Sequence, residues 1–270
     1  MRRLFSIISF MFICALSFAQ TYEEFVTQAM DYTDKGEYLA AQPESREAAQ
    51  QDKGNILLLV NLGTVQRNLG KHDEALLSYN IALENYPQVP LILHSRASLL
   101  CEMNKLGEAM ADYNTILKVA PDDVEALYRR ALIYMTNKLP LAAKADFEQM
   151  CLVDKNNLLG QMGLAMIMKR NGEWTEAEEL YTDLIYKHKT NADLYFNRAE
   201  CYFQLNKLAR TQEDLMKATE YGYNEAPLFI LRGQLRLAQY DKLSAKEDFL
   251  KAKEKGADAA TIDQYLKLCR

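Results

Sequence analysis

The chain has 270 residues, of which 49% are hydrophobic, 26% charged and 10% aromatic, enough for a buried core and unlike disordered or collagen-like chains. Six prolines and eleven glycines are too few for a turn every ten residues, which disfavours an all-β protein. The formal net charge of -5 becomes more negative once Arg2 and Arg3 are set aside; such a surface does not attract a phosphate backbone, and no nucleic-acid partner is expected.

Arg2 and Arg3 precede an apolar run from Leu4 to Phe18 that closes on the small-x-small site Ser17-Phe18-Ala19. Residues 1–19 read as a secretory signal peptide, cleaved before Gln20. As a helix the run reaches about 22 Å against a hydrocarbon core of roughly 30 Å, so an uncleaved anchor is the weaker reading and no stable membrane insertion is expected after cleavage. Met11-Phe12-Ile13 lacks the small residues that bacterial lipoprotein signals place before the modified cysteine, here Cys14. No asparagine lies in an Asn-x-Ser/Thr sequon, which favours a bacterial periplasm or extracellular location over a glycosylating secretory route.

From Tyr22 onward the sequence repeats every 34 residues, in seven blocks without insertion or deletion: 22–55, 56–89, 90–123, 124–157, 158–191, 192–225 and 226–259. Position 8 is always small, through Ala29, Gly63, Ala97, Ala131, Ala165, Ala199 and Gly233. Position 20 is Ala41, Ala75, Ala109, Ala143, Ala177, Thr211 and Ala245, and position 24 carries Tyr79, Tyr113, Phe147, Tyr181 and Phe249. Small residues let two helices approach, and the aromatic ring fills the space beside them. Residues 260–270 place Ile262, Tyr265, Leu266 and Cys269 on one helical face and read as a capping helix for the last block.

This pattern resembles the tetratricopeptide repeat, best in block two through Leu59, Leu62, Gly63, Gly70, Ala75, Tyr79, Ala82 and Pro87. The resemblance implies an all-α, right-handed superhelical solenoid of seven helix-turn-helix repeats, with the first helix of each pair lining a concave groove. Departures are local. Only Pro87 and Pro121 hold the family's position-32 proline, Gln161 replaces an apolar residue at position 4, and Pro43 falls inside the second helix of block one, where an interior proline costs roughly 3 kcal/mol.

Two further positions change together. Position 7 is Arg96, Arg130, Arg198 and Arg232 in blocks three, four, six and seven, and position 23 is Asp112, Asp146, Asp214 and Asp248 in the same blocks. Blocks two and five instead carry Leu62 with Ser78 and Leu164 with Leu180. A shared contact explains the switch: arginine on the first helix pairs with aspartate on the second. The matched aspartates favour these structural ion pairs over an anion site lined by four arginines.

Catalytic chemistry lacks candidates, and no cofactor or metal is expected. His72, His94 and His188 fall in different blocks, and the sequence contains no HExxH, GxSxG, phosphate-binding glycine loop or dinucleotide fingerprint. Cys101, Cys151, Cys201 and Cys269 are widely spaced, without a CxxC, and read as free thiols on helices. The chain is therefore read as a non-enzyme.

The resemblance places function on positions 2, 5, 9, 12 and 13 of the first helices, of which 5, 9 and 12 form an i, i+4, i+7 face. In blocks four to six these are Tyr128, Leu132 and Met135, then Met162, Met166 and Lys169, then Phe196, Glu200 and Phe203. This wall is more apolar than that of blocks two and three, which suits an adaptable protein-binding surface; the competing reading is packing between neighbouring repeats. The family's carboxylate clamp joins a basic residue at position 5 to asparagine at position 9, a combination found in no block. The expected function is an exported interaction scaffold binding a protein or peptide segment of another envelope protein. The alternatives are a self-associating structural subunit, hence a homo-oligomer, and a carbohydrate- or small-ligand-binding solenoid.

Overall fold

The computed structural model describes residues 24, 27–29, 31–33, 35–37, 41, 43, 45 and 55–270. The expected signal peptide and most of block one lie outside the described residues. Within block one Ala41, Pro43 and Ser45 are helical, and Ala29 and Ala41 are buried. Every described regular element is α-helical, and the chain divides into two compact units, residues 1–139 and 140–270.

The first unit contains α1 (Ile56–Asn68), α2 (His72–Asn85), α3 (Pro90–Glu102), α4 (Leu106–Val119) and α5 (Val124–Thr136). The second contains α6 (Pro140–Val153), α7 (Leu158–Asn171), α8 (Trp174–Lys187), α9 (Ala192–Gln204), α10 (Leu208–Glu220), α11 (Ala226–Ala238), α12 (Lys242–Glu254) and α13 (Ala259–Leu268). Within each unit successive helices pack on one another, as the 34-residue period requires.

Local chemistry sets the helix ends. The last residue of a block caps the next first helix: Asn55, Asp123, Asn157 and Asn191 each accept a backbone N–H from the first turn of α1, α5, α7 and α9. Val89 and Glu225 cannot do so, and there a proline follows within the first two helical positions, Pro90 or Pro227, where a missing N–H does no harm. Position 15 turns the chain between the paired helices and has positive φ in every block: Gly36, Gly70, Asn104, Lys138, Gly172, Asn206 and Tyr240. A left-handed residue ends a helix by letting following N–H groups fold back on its last carbonyls, as Gly172 does on Lys169.

The small-residue and aromatic positions meet as their spacing predicts. A Cβ built on Gly63 would stand 2.6 Å from Tyr79 Cε1, and one on Gly233 would stand 2.6 Å from Phe249 Cε1. Tyr79, Tyr113, Phe147, Tyr181 and Phe249 are fully buried, with the alanines at position 20 beside them in sequence register. Gln161 also finds a role: its Nε2 donates to the Lys155 carbonyl at 2.6 Å, tying the entry loop to α7. The capping helix seats Ile262 at 0% exposure and stacks Tyr265 on Phe249, ring centroids 4.9 Å apart.

Candidate functional site

Three of the expected arginine–aspartate pairs lie within a single unit, and each forms. Arg96 Nε and Nη2 donate to Asp112 at 2.9 and 2.6 Å. Arg198 does the same to Asp214 at 2.7 and 2.8 Å, and Arg232 to Asp248 at 3.0 and 2.6 Å. The aspartates are buried, so each fork satisfies a carboxylate that water cannot reach. Arg130 belongs to the first unit and Asp146 to the second.

The arginines also reach backward, which their own block does not reveal. Arg96 Nη1 donates to Asn80 at 2.8 Å, Arg130 Nη1 to Asn114 at 2.8 Å, and Arg198 Nη1 to Thr182 at 3.1 Å. All three acceptors occupy position 25 of the preceding block. In Arg96 and Arg198 one guanidinium therefore joins both helices of its own repeat to the second helix of the repeat before.

Of the expected binding wall, Tyr128, Leu132 and Met135 are half-buried on α5 in the first unit. In the second unit Met162, Met166 and Lys169 are half-buried on α7, and Phe203 is half-buried on α9. Met162 and Phe203 pack against the buried cluster of that unit. Phe196 departs from the expected binding wall, being 5% exposed with the Tyr223 ring stacked on it at 4.5 Å. Tyr223 holds position 32, where blocks two and three have proline, and Gly222 at φ +99° turns the chain there. Burial pushes the Tyr223 hydroxyl up to about 12.

Beside this wall the second unit has a cleft of about 290 Å³ lined by Lys169, Trp174, Glu200, Gln204, Ile230 and Gln234. Lys169 Nζ bonds Glu200 and reaches Asn197 Oδ1 at 2.8 Å, so a polar bridge interrupts the apolar wall between α7 and α9. Gln234 Nε2 donates to Tyr265 Oη at 2.6 Å, which ties the cleft to the capping helix. Ile230 and Gln234 occupy positions 5 and 9 of block seven, so the same spacing carried one block further points to them. Trp174, the single tryptophan of the chain, stands at the first residue of α8 and carries no repeat signal.

Around the cleft the charges are engaged. Burial would raise the Glu178 carboxyl, but bonds from Lys207 and Tyr202, each 3.1 Å, hold it below the ordinary range. Burial pushes the Cys201 thiol up to about 12, and the Cys101, Cys151 and Cys269 thiols upward, which keeps them protonated and weakly nucleophilic. Among the described residues no group of His, Cys, Asp and Glu is placed to hold a metal ion. No described helix is long and apolar enough to cross a membrane.

A family profile described as tetratricopeptide repeat matches residues 26–90, 95–151 and 163–210. A tetratricopeptide repeat protein from Parabacteroides merdae has a crystal structure similar to this chain, with a TM-score of 0.77 at 36% identity, covering 93% of this chain and 99% of that one. YrrB, described as a TPR protein with an unusual peptide-binding site, shares the fold at TM-score 0.54 and 15% identity, over 68% of this chain and 95% of its own. RNA polymerase II-associated protein 3 of Xenopus tropicalis is 38% identical over 85 residues, which is 32% of this chain and 13% of that protein.

Proposed function

Because the chain belongs to the tetratricopeptide repeat family, we propose that it is an exported, non-enzymatic scaffold whose second unit binds a segment of another envelope protein. Proteins built on this repeat bind peptides or other proteins, YrrB among them by its description. The observation that carries the reading is the cleft of Lys169, Trp174, Glu200, Gln204, Ile230 and Gln234 on the first-helix face. It offers an apolar floor, an aromatic edge and side-chain amides at its rim, the mixture that grips an extended segment through backbone groups as well as side chains. Export rests on the Leu4–Phe18 run and the Ser17-Phe18-Ala19 site.

A photo-crosslinking residue at Gln204, presented in the native envelope fraction, tests this reading against the same probe at Leu250, an exposed position on α12. One protein crosslinked from Gln204 and absent from Leu250 is the expected result. Equal labelling from both sites would leave the cleft with no part in binding.

A further inference from the structure

The arginine of block seven lacks the backward contact made at the earlier junctions. Arg96, Arg130 and Arg198 find Asn80, Asn114 and Thr182 at position 25. At the corresponding place before Arg232 stands Met216, which offers no comparable acceptor and is 65% exposed. Arg232 holds Asp248 through Nε and Nη2, and its Nη1 has no acceptor among the described residues. A cleft of about 630 Å³ opens there, lined by Gln212, Leu215, Met216, Arg232, Leu235 and Arg236.

The charge balance at this junction also differs. Arg236 Nη1 bonds Asp248 at 2.8 Å and the Ser244 carbonyl at 2.9 Å, so two guanidinium groups share one carboxylate. The other acids on the rim are engaged: Glu220 pairs with Lys217 at 2.8 Å, and Asp241 accepts from the Ser244 N–H at 3.1 Å. Leu215 and Leu235 are 2% exposed and give the cleft an apolar floor.

We propose that this cleft is a second binding site, separate from the first-helix face, and that it takes a carboxylate on a short apolar stem. A carboxylate oxygen would fill the role that Asn80, Asn114 and Thr182 play at the sister junctions. The second guanidinium favours an anion over a neutral amide, since charge-assisted bonds are roughly twice as strong as neutral ones. The stem would lie on the floor formed by Leu215 and Leu235. A free aliphatic acid and an acidic side chain of a peptide share this chemistry.

Isothermal titration of the full chain with isovalerate, isovaleramide and the capped peptide acetyl-Leu-Glu-Leu-amide tests the proposal. Isovalerate should bind at least tenfold more tightly than isovaleramide. Met216→Asn, which rebuilds the sister junction, should raise the melting temperature and weaken isovalerate at least tenfold, whereas Met216→Ala should keep binding. Peptide binding tighter than isovalerate would assign the site to a peptide, and the reverse to a free acid. Absent isovalerate binding, equal affinity for the amide, or undiminished binding by folded Met216→Asn would overturn the assignment.

Discussion

Arg198 and Asp214 stand on the paired helices α9 and α10 and meet through two bonds, 2.7 Å from Nε and 2.8 Å from Nη2, with 6% of the aspartate side chain exposed. Block five holds Leu164 and Leu180 at the same two positions. The repeat thus accepts either a satisfied ion pair or two apolar side chains, and it is the mixed state that leaves a buried charge unpaired. Removing one partner of a buried pair costs about 3–5 kcal/mol, while replacing both by apolar residues is often neutral. Arg198→Leu should therefore lower the urea midpoint far more than Arg198→Leu with Asp214→Leu. Additive losses in the double variant would show that the two side chains are energetically independent.

Tyr240 occupies the left-handed turn between α11 and α12 at φ +64°, with 92% of its surface exposed. The equivalent turns of blocks two and five carry Gly70 and Gly172. A side chain in this region costs about 1–2 kcal/mol, and a ring so exposed returns little of that through burial. Tyr240→Gly should raise stability by about 1 kcal/mol, and Gly172→Ala should lower it by a similar amount, both measured by thermal melting. A loss on Tyr240→Gly would show that the ring makes a stabilising contact.

The repeat period, the helix-pair fold and the arginine–aspartate switch were legible because each recurs at a fixed spacing, so several copies report on one geometry. Asn80, Asn114 and Thr182 were not legible, because their contact runs from position 25 of one block to position 7 of the next and tolerates two residue types. Phe196 was misplaced for a related reason. Its spacing puts it on the first-helix face, but Tyr223 covers it from a loop position where the family pattern has proline. Such coverage needs the Tyr223 ring after the Gly222 turn; block seven repeats the turn at Gly256 but follows it with Ala257, so the turn alone does not reveal the cover.

Phe196→Ala should accordingly behave as a core truncation, with a loss of about 3–5 kcal/mol in denaturant unfolding. Tyr223→Ala should lose part of that and expose the Phe196 ring. A Phe196→Ala variant as stable as the parent would place the ring outside the core.

Asp123 caps α5 by accepting the Ala126 N–H at 2.8 Å and meets His94 Nε2 at 2.9 Å. Burial raises its carboxyl, but the His94 and Ala126 bonds outweigh this and hold it below the ordinary carboxylate range. A depressed folded-state value means that the stabilisation is present above the unfolded value and is lost as pH falls through the folded one. Stability should therefore drop on acidification below the ordinary carboxylate range, and Asp123→Asn, which keeps a cap acceptor, should flatten that part of the profile. Asp123→Ala should lose about 1 kcal/mol at neutral pH. An unchanged acid limb in Asp123→Asn would assign the pH dependence to other carboxylates.

The affinity of the protein crosslinked from Gln204 for chains altered in the second-unit cleft is the most direct measure of the scaffold reading. Ile230→Ala with Gln204→Ala removes an apolar contact and an amide from the cleft lining. Interface hot spots lose about 2 kcal/mol or more on truncation, so Kd should weaken well over tenfold while the thermal transition stays cooperative. An unchanged Kd in that folded double variant would contradict binding at this cleft.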